Sequence, residues 1–229
     1  MDTAKSKPHY TGHRKRLKEK FSVSGFGSFA DYEILEFVLT FALPRRDTKP
    51  LAKELIKKFG SLKQVFDANE DELKSVSGIS GHSALFISFL RQFAALYSYL
   101  DIKSSASLSS PEALVNYLMS VLSGEKIEKF YAVLLNSGNK VIDCVELESG
   151  TVNKSVIMPR KVAEQALKFK ASAVIVAHNH PGGTLKPSQN DIDATAAVKA
   201  ALTAVDVSLL DHIIISGNAY FSFREYNLI

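Results

Sequence analysis

Apolar positions follow a helical period along the first part of the chain. Up to about residue 100 they recur every three to four residues, as expected for amphipathic helices. Ser28 precedes one apolar stretch that Pro44 ends, and Asp47 and Gly60 are placed as the N-cap and the C-terminal glycine of a second. The predicted helices cover residues 31–43, 48–59, 69–76 and 82–100.

Residues 101–110 (DIKSSASLSS) are polar and serine-rich, and the pattern changes after them. Ser110-Pro111-Glu112 is typical of a helix start. Strands are predicted at 130–135, 141–147, 172–177, 208–215 and 220–223, and helices at 159–170 and 188–205. The order β-β-α-β-α-β-β indicates a mixed sheet with helices packed on it, an α/β sandwich. We therefore predict a helical N-terminal domain over residues 1–103 and an α/β domain over residues 107–229.

The composition of the chain excludes several classes of protein. The chain has 229 residues, of which 46% are hydrophobic and 23% charged, as in a soluble protein with a core. No apolar run approaches the ~20 residues of a membrane span, and no apolar stretch follows the N-terminal charges as in a signal peptide. Cys144 is the single cysteine, which rules out an intrachain disulfide and a metal site of several thiolates. We expect a cytoplasmic protein without a membrane partner.

The positive charge is local. Residues 1–106 carry a net charge of +5, whereas residues 107–229 carry −1. Arg14, Lys15 and Arg16 lie in the most basic stretch. Such an arm either binds nucleic acid by releasing phosphate counterions or keeps the chain in solution, and both interpretations stay open.

The chemically informative stretch is AHNHPGGTLKPSQND, residues 177–191. His178 and His180 follow a buried strand two residues apart, so both can project from its end on one side. Ser188 is a plausible N-cap, and Asp191 lies in the first turn of the next helix. Two imidazoles and a carboxylate at one edge of a sheet are a typical catalytic zinc set, with the fourth position left for water.

The string His-x-His-Pro, six residues, Ser, two residues, Asp resembles the JAMM (MPN+) metalloprotease signature. The flanking AHNHPGG, KPSQND and LLDHIII, together with the N-terminal GHRKRLKEKF and YEILEFVLTFAL, are similar to the bacterial RadC-type family, long named a DNA-repair family. The resemblance covers nearly the whole chain. It implies a fold related to the cytidine deaminases and one Zn²⁺ per chain on His178, His180 and Asp191.

The resemblance also implies two catalytic residues. Glu128, directly before a predicted strand, matches the family's general base for the attacking water, with Glu125 as the competing candidate. Ser188 would donate a hydrogen bond to the oxyanion.

Other interpretations of these residues fit less well. The letters HNH at residues 178–180 lack the longer nuclease unit, and a nucleobase deaminase needs a Pro-Cys-x-x-Cys pair that Cys144 alone does not supply. His212 has two interpretations: a structural histidine hydrogen-bonded near the site, or a direct ligand.

Residues 73–87 resemble a helix-hairpin-helix, whose turn amides bind a DNA phosphate. Gly78, Ile79 and Gly81 would make that contact, although Ser80 stands where the second glycine is usual. A hairpin that only packs is the alternative.

The sequence thus predicts a zinc-dependent hydrolase that acts on a peptide or isopeptide bond of a peptide or protein substrate. The alternative is a DNA-associated binding or repair-accessory protein with a structural or inactive zinc site. The oligomeric state is left open.

Overall fold

The computed structural model describes residues 12–44, 46–105, 111–149 and 158–229. Its helices are α1 (His13–Ser24), α2 (Asp31–Ala42), α3 (Lys49–Phe59), α4 (Leu62–Asp67), α5 (Glu70–Lys74), α6 (Gly81–Ser104), α7 (Pro111–Leu122), α8 (Pro159–Lys168) and α9 (Gln189–Thr203). Its strands are β1 (Lys129–Leu135), β2 (Val141–Ser149), β3 (Ala173–Asn179), β4 (Ser208–Ser216) and β5 (Ala219–Ser222). Ser110, expected to start α7, lies outside the described residues.

The chain divides into two compact units that meet inside α6, between Arg91 and Gln92. The predicted domain boundary, between residues 103 and 107, follows the C-terminal end of α6 at Ser104 and stays a prediction. The helix predicted to end at residue 100 continues to Ser104, and in its last turn Ile102 is buried in a core cluster while Asp101, Lys103 and Ser104 are exposed.

The first unit has an aliphatic core. α3 starts with Pro50 in its first turn and ends at Gly60, whose φ of 97° suits glycine. The N-cap residue of α3 is Thr48, not Asp47 as predicted; the Asp47 carboxylate accepts a hydrogen bond from the Lys49 N–H at 3.1 Å. The core contains Leu35, Leu39, Leu51, Leu55, Val65, Leu73, Val76, Ile79, Ala84 and Ile87.

The second unit is built on a five-stranded sheet of order β2-β1-β3-β4-β5. β1 is antiparallel to β2 and to β3, β3 is parallel to β4, and β4 is antiparallel to β5. β3 is therefore a central strand, and all seven of its residues are buried. Strands buried on both faces are continuously apolar, which explains the sequence of β3 up to Ala177.

Helices cover both faces of this sheet. On one face α7 packs against alternate residues of the strands, such as Val133, Ile175 and Ile213. On the other face α8 and α9 cover the residues between them, such as Ala132, Val174 and Val176. This second face leads to the metal-ligand candidates, because His178 continues the alternation of Val174 and Val176.

The predicted fold class is confirmed: helices precede a mixed α/β domain with a five-stranded sheet. Within the described residues, no helix is both long enough and apolar enough to cross a membrane.

Candidate metal centre

β3 carries the first two candidate ligands. The strand was predicted to end at Ala177, but its parallel pairing with β4 continues to Asn179. His178 therefore lies within the strand and faces α9, and its side chain is fully buried. His180 follows the strand and is held by its own N–H, which donates to the Ile215 carbonyl at 2.9 Å.

The first turn of α9 supplies the third candidate ligand. Ser188 is the N-cap, as predicted, and its Oγ accepts a hydrogen bond from the Asp191 N–H at 3.2 Å. The Asp191 carboxylate in turn accepts from the Ser188 N–H at 2.7 Å. This capping box holds the carboxylate at the helix start, facing the end of β3.

The ligand atoms of four residues converge. One atom from each of Glu128, His178, His180 and Asp191 lies within 4.8 Å of the others, the one such group found among the described residues. His178 Nε2 is 2.9 Å from His180 Nε2 and 3.3 Å from Asp191 Oδ1, and His180 Nε2 is 3.5 Å from Asp191 Oδ2. In tetrahedral zinc sites, ligand atoms about 2.0–2.1 Å from the metal are about 3.3–3.4 Å apart. The three separations bracket this value, and the donor types suit zinc, so the residues present fit a metal ion.

Glu128 lies at the edge of this group. Its Oε1 is 3.7 Å from His178 Nε2, and its side chain is 23% exposed. Glu125, the competing candidate, directs its carboxylate to Lys129 Nζ at 3.1 Å and is not part of the converging group.

Asn179 positions the segment before β1, a role that sequence reasoning missed. Its side-chain oxygen accepts a hydrogen bond from the Lys129 N–H at 2.8 Å. Its amide nitrogen donates to the carbonyl oxygens of Glu125 and Ile127 at 3.2 and 3.0 Å. The residue between the two histidine ligands therefore binds the backbone on both sides of Glu128. The sequence showed only an asparagine between the two histidines, beyond the predicted end of the strand at Ala177.

The electrostatics of the cluster favour an ionised carboxylate. Burial is the largest influence on Asp191 and raises its pKa, but the hydrogen bonds from His178, His180 and Ser188 together outweigh it and hold the pKa well below its usual range. The pKa of His180 is raised, mainly by its contact with Asp191. The ionised Asp191 carboxylate favours a cation beside it, either a proton on His180 or a metal ion.

His212 is not among the converging ligand atoms. Its Nε2 lies 2.8 Å from Nδ1 of His178, the ring nitrogen that is not part of the cluster. Burial lowers the pKa of His212 well below its ordinary value, which keeps the imidazole neutral. The geometry matches the structural interpretation of His212.

A cleft of about 390 Å³ opens beside His180. Its lining includes Lys126, Ser216, Gly183 and Gly217. The two glycines have positive φ values, and a Cβ atom added to either would meet nothing within 4 Å. Because no side chain fills this space, an extended chain can approach the backbone there.

The comparison with protein families agrees with this site. The profile of the RadC-like JAB domain matches residues 108–228. This chain belongs to the RadC family. UPF0758 protein FN0909 of Fusobacterium nucleatum subsp. nucleatum is 39% identical over 225 residues, which cover 95% of this chain and 97% of that protein. UPF0758 protein SPO0054 of Ruegeria pomeroyi is 37% identical over 212 residues, covering 93% and 95%. The predicted resemblance is confirmed.

In this RadC-family chain, the predicted DNA contacts lie in the first unit. Arg14 is occupied within that unit, since its guanidinium donates to the carbonyl oxygens of Thr40 at 3.2 Å, Leu43 at 2.6 Å and Arg46. Lys15 and Arg16 lie exposed on α1.

The predicted hairpin turn is formed, with Gly78 at a φ of 98° and Gly81 at the start of α6. Ile79 is buried in the core, and its N–H donates to the Val76 carbonyl at 3.1 Å. The Ser80 N–H donates to Ser83 Oγ at 2.8 Å. Two amides that such a turn would offer to a phosphate are therefore already bonded, and DNA contact stays a prediction.

Proposed function

We propose that this RadC-family protein is a zinc-dependent hydrolase that cleaves a peptide or isopeptide bond. The observation that supports this most is the convergence of Glu128, His178, His180 and Asp191 within 4.8 Å. A ligand set of two imidazoles and one carboxylate, with another carboxylate beside it, is the arrangement that zinc hydrolases need. The match to a RadC-like JAB domain supports the same class.

Three residues would hold the metal: His178 and His180 through Nε2, and Asp191 through its carboxylate. When bound, zinc supplies Lewis-acid polarisation of the substrate carbonyl and lowers the pKa of water to about 7. The buried side of the site is closed by His178, which is fully buried, whereas His180 borders the cleft. Substrate would therefore enter from the cleft.

Glu128 acts as the general base in this proposal. Its carboxylate lies near the ligand atoms without any of the capping bonds that hold Asp191. It would take a proton from the attacking water and return it to the leaving nitrogen. Asn179 binds the backbone of the residues on either side of Glu128, so the carboxylate is presented from a fixed segment.

Ser188 is proposed as the donor to the oxyanion. In this structure its Oγ–H donates to Asp191 Oδ2 at 2.7 Å. To donate to the substrate, the hydroxyl proton would have to rotate about the Cβ–Oγ bond away from Asp191. While it is bonded to Asp191, it keeps that ligand in place.

Metal content tests the site. The purified chain should bind about one zinc ion, and His180→Ala and Asp191→Asn should each lose it. Asp193→Asn is the matched control, because Asp193 is exposed on the same helix and accepts a hydrogen bond from Gln189 only one turn away. Full zinc occupancy in His180→Ala and Asp191→Asn would refute the ligand assignment.

Removal of the base tests the reaction. Glu128→Gln should keep zinc and lose cleavage in a mass-spectrometric screen of a peptide library, whereas Glu125→Gln should keep both. If Glu128→Gln cleaves the same peptides as the wild type, the proposed mechanism is wrong. The alternative, a DNA-associated protein with a structural metal, predicts zinc binding in the wild type and no cleavage of any peptide in the screen.

A further inference from the structure

His212 and Thr195 form a hydrogen-bonded connection between two of the candidate metal ligands. His178 Nδ1 lies 2.8 Å from His212 Nε2, and His212 Nδ1 lies 2.6 Å from Thr195 Oγ1. Thr195 Oγ1 in turn donates to the backbone carbonyl of Asp191 at 2.5 Å. His178 and the two linking residues are buried, with His178 and His212 at 0% exposure and Thr195 at 3%.

The direction of each hydrogen bond in this series follows from the final acceptor, the backbone carbonyl oxygen of Asp191. A carbonyl oxygen can only accept, so the single hydroxyl proton of Thr195 goes to Asp191. Thr195 Oγ1 therefore accepts from the Nδ1–H of His212. A neutral His212 is then unprotonated at Nε2, so this atom accepts the Nδ1–H of His178. In its neutral form, a His178 that donates from Nδ1 has an unprotonated Nε2, the nitrogen that faces the cluster and that can bind a metal ion.

The two imidazole planes are also fixed by aromatic packing. Phe130 on β1 is directly opposite His178 on β3, and their rings stack with centroids 5.0 Å apart. His212 stacks on the fully buried Phe223 with centroids 4.6 Å apart and an interplanar angle of 17°. Both rings are thus held in position by the sheet and by packing before any ligand binds.

The connection depends on the register of two neighbouring strands. His212 on β4 pairs with Val176, two residues before His178, so both imidazoles lie on the face that α9 covers. Thr195 is one helical turn after Asp191 on α9, so its hydroxyl reaches the carbonyl of the ligand residue. This hydrogen-bonded connection through His212 and Thr195, called the relay below, therefore links the strand that carries His178 to the helix that carries Asp191.

We propose that His212 and Thr195 are positioning residues of the metal centre, which set the tautomer and orientation of His178 and tie it to Asp191. This proposal rests on the proposed function, because it concerns the metal that those ligands would hold. Hydrogen-bond partners of ligand histidines typically change metal affinity 10–100-fold when removed. Here the hydrogen-bond partner of His178 is the neutral imidazole of His212, which is itself hydrogen-bonded to Thr195.

Paired variants test the relay with a readout that needs no substrate. Thr195→Val removes the hydroxyl at nearly constant volume, and Thr195→Ser restores it. His212→Phe keeps the stacking on Phe223 but removes the acceptor, whereas His212→Gln can offer a carbonyl oxygen to His178. Thr203→Val is the control, because Thr203 lies on the same helix and its hydroxyl bonds the carbonyl four residues back, Lys199 O at 2.8 Å.

The measurements are the affinity for Zn²⁺ in competition with a chromophoric chelator and the visible absorption spectrum of the Co²⁺ form. We expect about 10–100-fold weaker Zn²⁺ binding and an altered Co²⁺ spectrum in Thr195→Val and His212→Phe. Thr195→Ser, His212→Gln and Thr203→Val should stay within about threefold of the wild type. Circular dichroism of each metal-free variant checks folding, and if His212→Phe fails to fold, the Thr195 pair decides.

The two proposals fail differently. If Thr195→Val and every folded His212 variant bind Zn²⁺ as tightly as the wild type with an unchanged Co²⁺ spectrum, the relay is wrong and the metal centre stands. If the wild type binds neither ion, or His180→Ala binds Zn²⁺ equally well, the assignment of the metal centre is wrong. The proposal about His212 and Thr195 is then wrong too.

Discussion

Replacing Asn179 with alanine would release the segment that carries Glu128 from the strand that carries the metal-ligand candidates. Asn179 is 2% exposed, and its carboxamide makes three hydrogen bonds to backbone groups of residues 125–129. The variant loses all three bonds and leaves their backbone partners without this carboxamide.

The expected loss of stability follows from the backbone groups that lose their hydrogen bonds to Asn179. A hydrogen bond contributes about 0.5–1.5 kcal/mol net, and a buried group left unsatisfied costs about 1–3 kcal/mol. Water can reach some of these backbone groups, because the contacts are only partly buried. We therefore expect the free energy of unfolding to fall by about 2–4 kcal/mol, which corresponds to a melting temperature about 4–16 °C lower for a chain of this size.

Guanidinium chloride unfolding measures the change, and Asn136→Ala is a matched control. Asn136 Oδ1 also accepts backbone hydrogen bonds, from Gly138 and Lys140 at 3.0 Å each, but in an exposed hairpin turn. Exposed groups regain water, so this variant should lose less than about 1 kcal/mol.

The comparison can refute the reasoning. If Asn179→Ala unfolds at the same denaturant concentration as Asn136→Ala, the carboxamide does not hold the Glu128 segment. Zinc binding of Asn179→Ala should remain within about threefold of the wild type, because its side chain makes no contact with the ligand atoms among the hydrogen bonds of the described residues.

Two further predictions concern other parts of the chain. Burial raises the pKa of Cys144 to about 12, so at pH 8 about 10⁻⁴ of the thiol is ionised, against about a quarter for an ordinary thiol. Alkylation followed by mass spectrometry should be about a thousandfold slower in the folded chain than in urea and should accelerate as pH rises; equal rates would contradict this. Arg14→Ala should lower the melting temperature by several degrees because it loses charged hydrogen bonds to Thr40 and Leu43. Lys15→Ala should not, and equal melting temperatures would show that the Arg14 contacts contribute little.

Local spacing was sufficient for most of the helices and strands and for three members of the candidate site. The apolar periods indicated most helices and all five strands, because burial of one helical stripe or one sheet face imposes those periods. His178, His180 and Asp191 lie within one strand–loop–helix unit, so their proximity needs no distant contact. The end of β3 was misjudged because its last residues, His178 and Asn179, are polar, and only the pairing with β4 shows that the strand continues.

Resemblance pointed to Glu128, but residues alone could not separate it from Glu125. The two lie three residues apart before the same strand, and the choice depends on where each carboxylate points. In the fold, Glu128 reaches the cluster while Glu125 contacts Lys129. The same limit applies to the hairpin turn, whose glycines are visible in the sequence although the bonding of its amides is not.

The amino-acid sequence by itself determined the fold class through its periodicity, the candidate ligand motif through spacing within a short stretch, and the family through resemblance along nearly the whole chain. Tertiary structure alone decided which groups support that motif. Asn179 binds the segment of Glu128, and His212 and Thr195 connect His178 to Asp191. Apart from the Thr195–Asp191 bond within α9, these contacts join residues 17 to 54 positions apart. Strand register and helix packing bring such residues together, and neither can be read from the residues as a linear pattern.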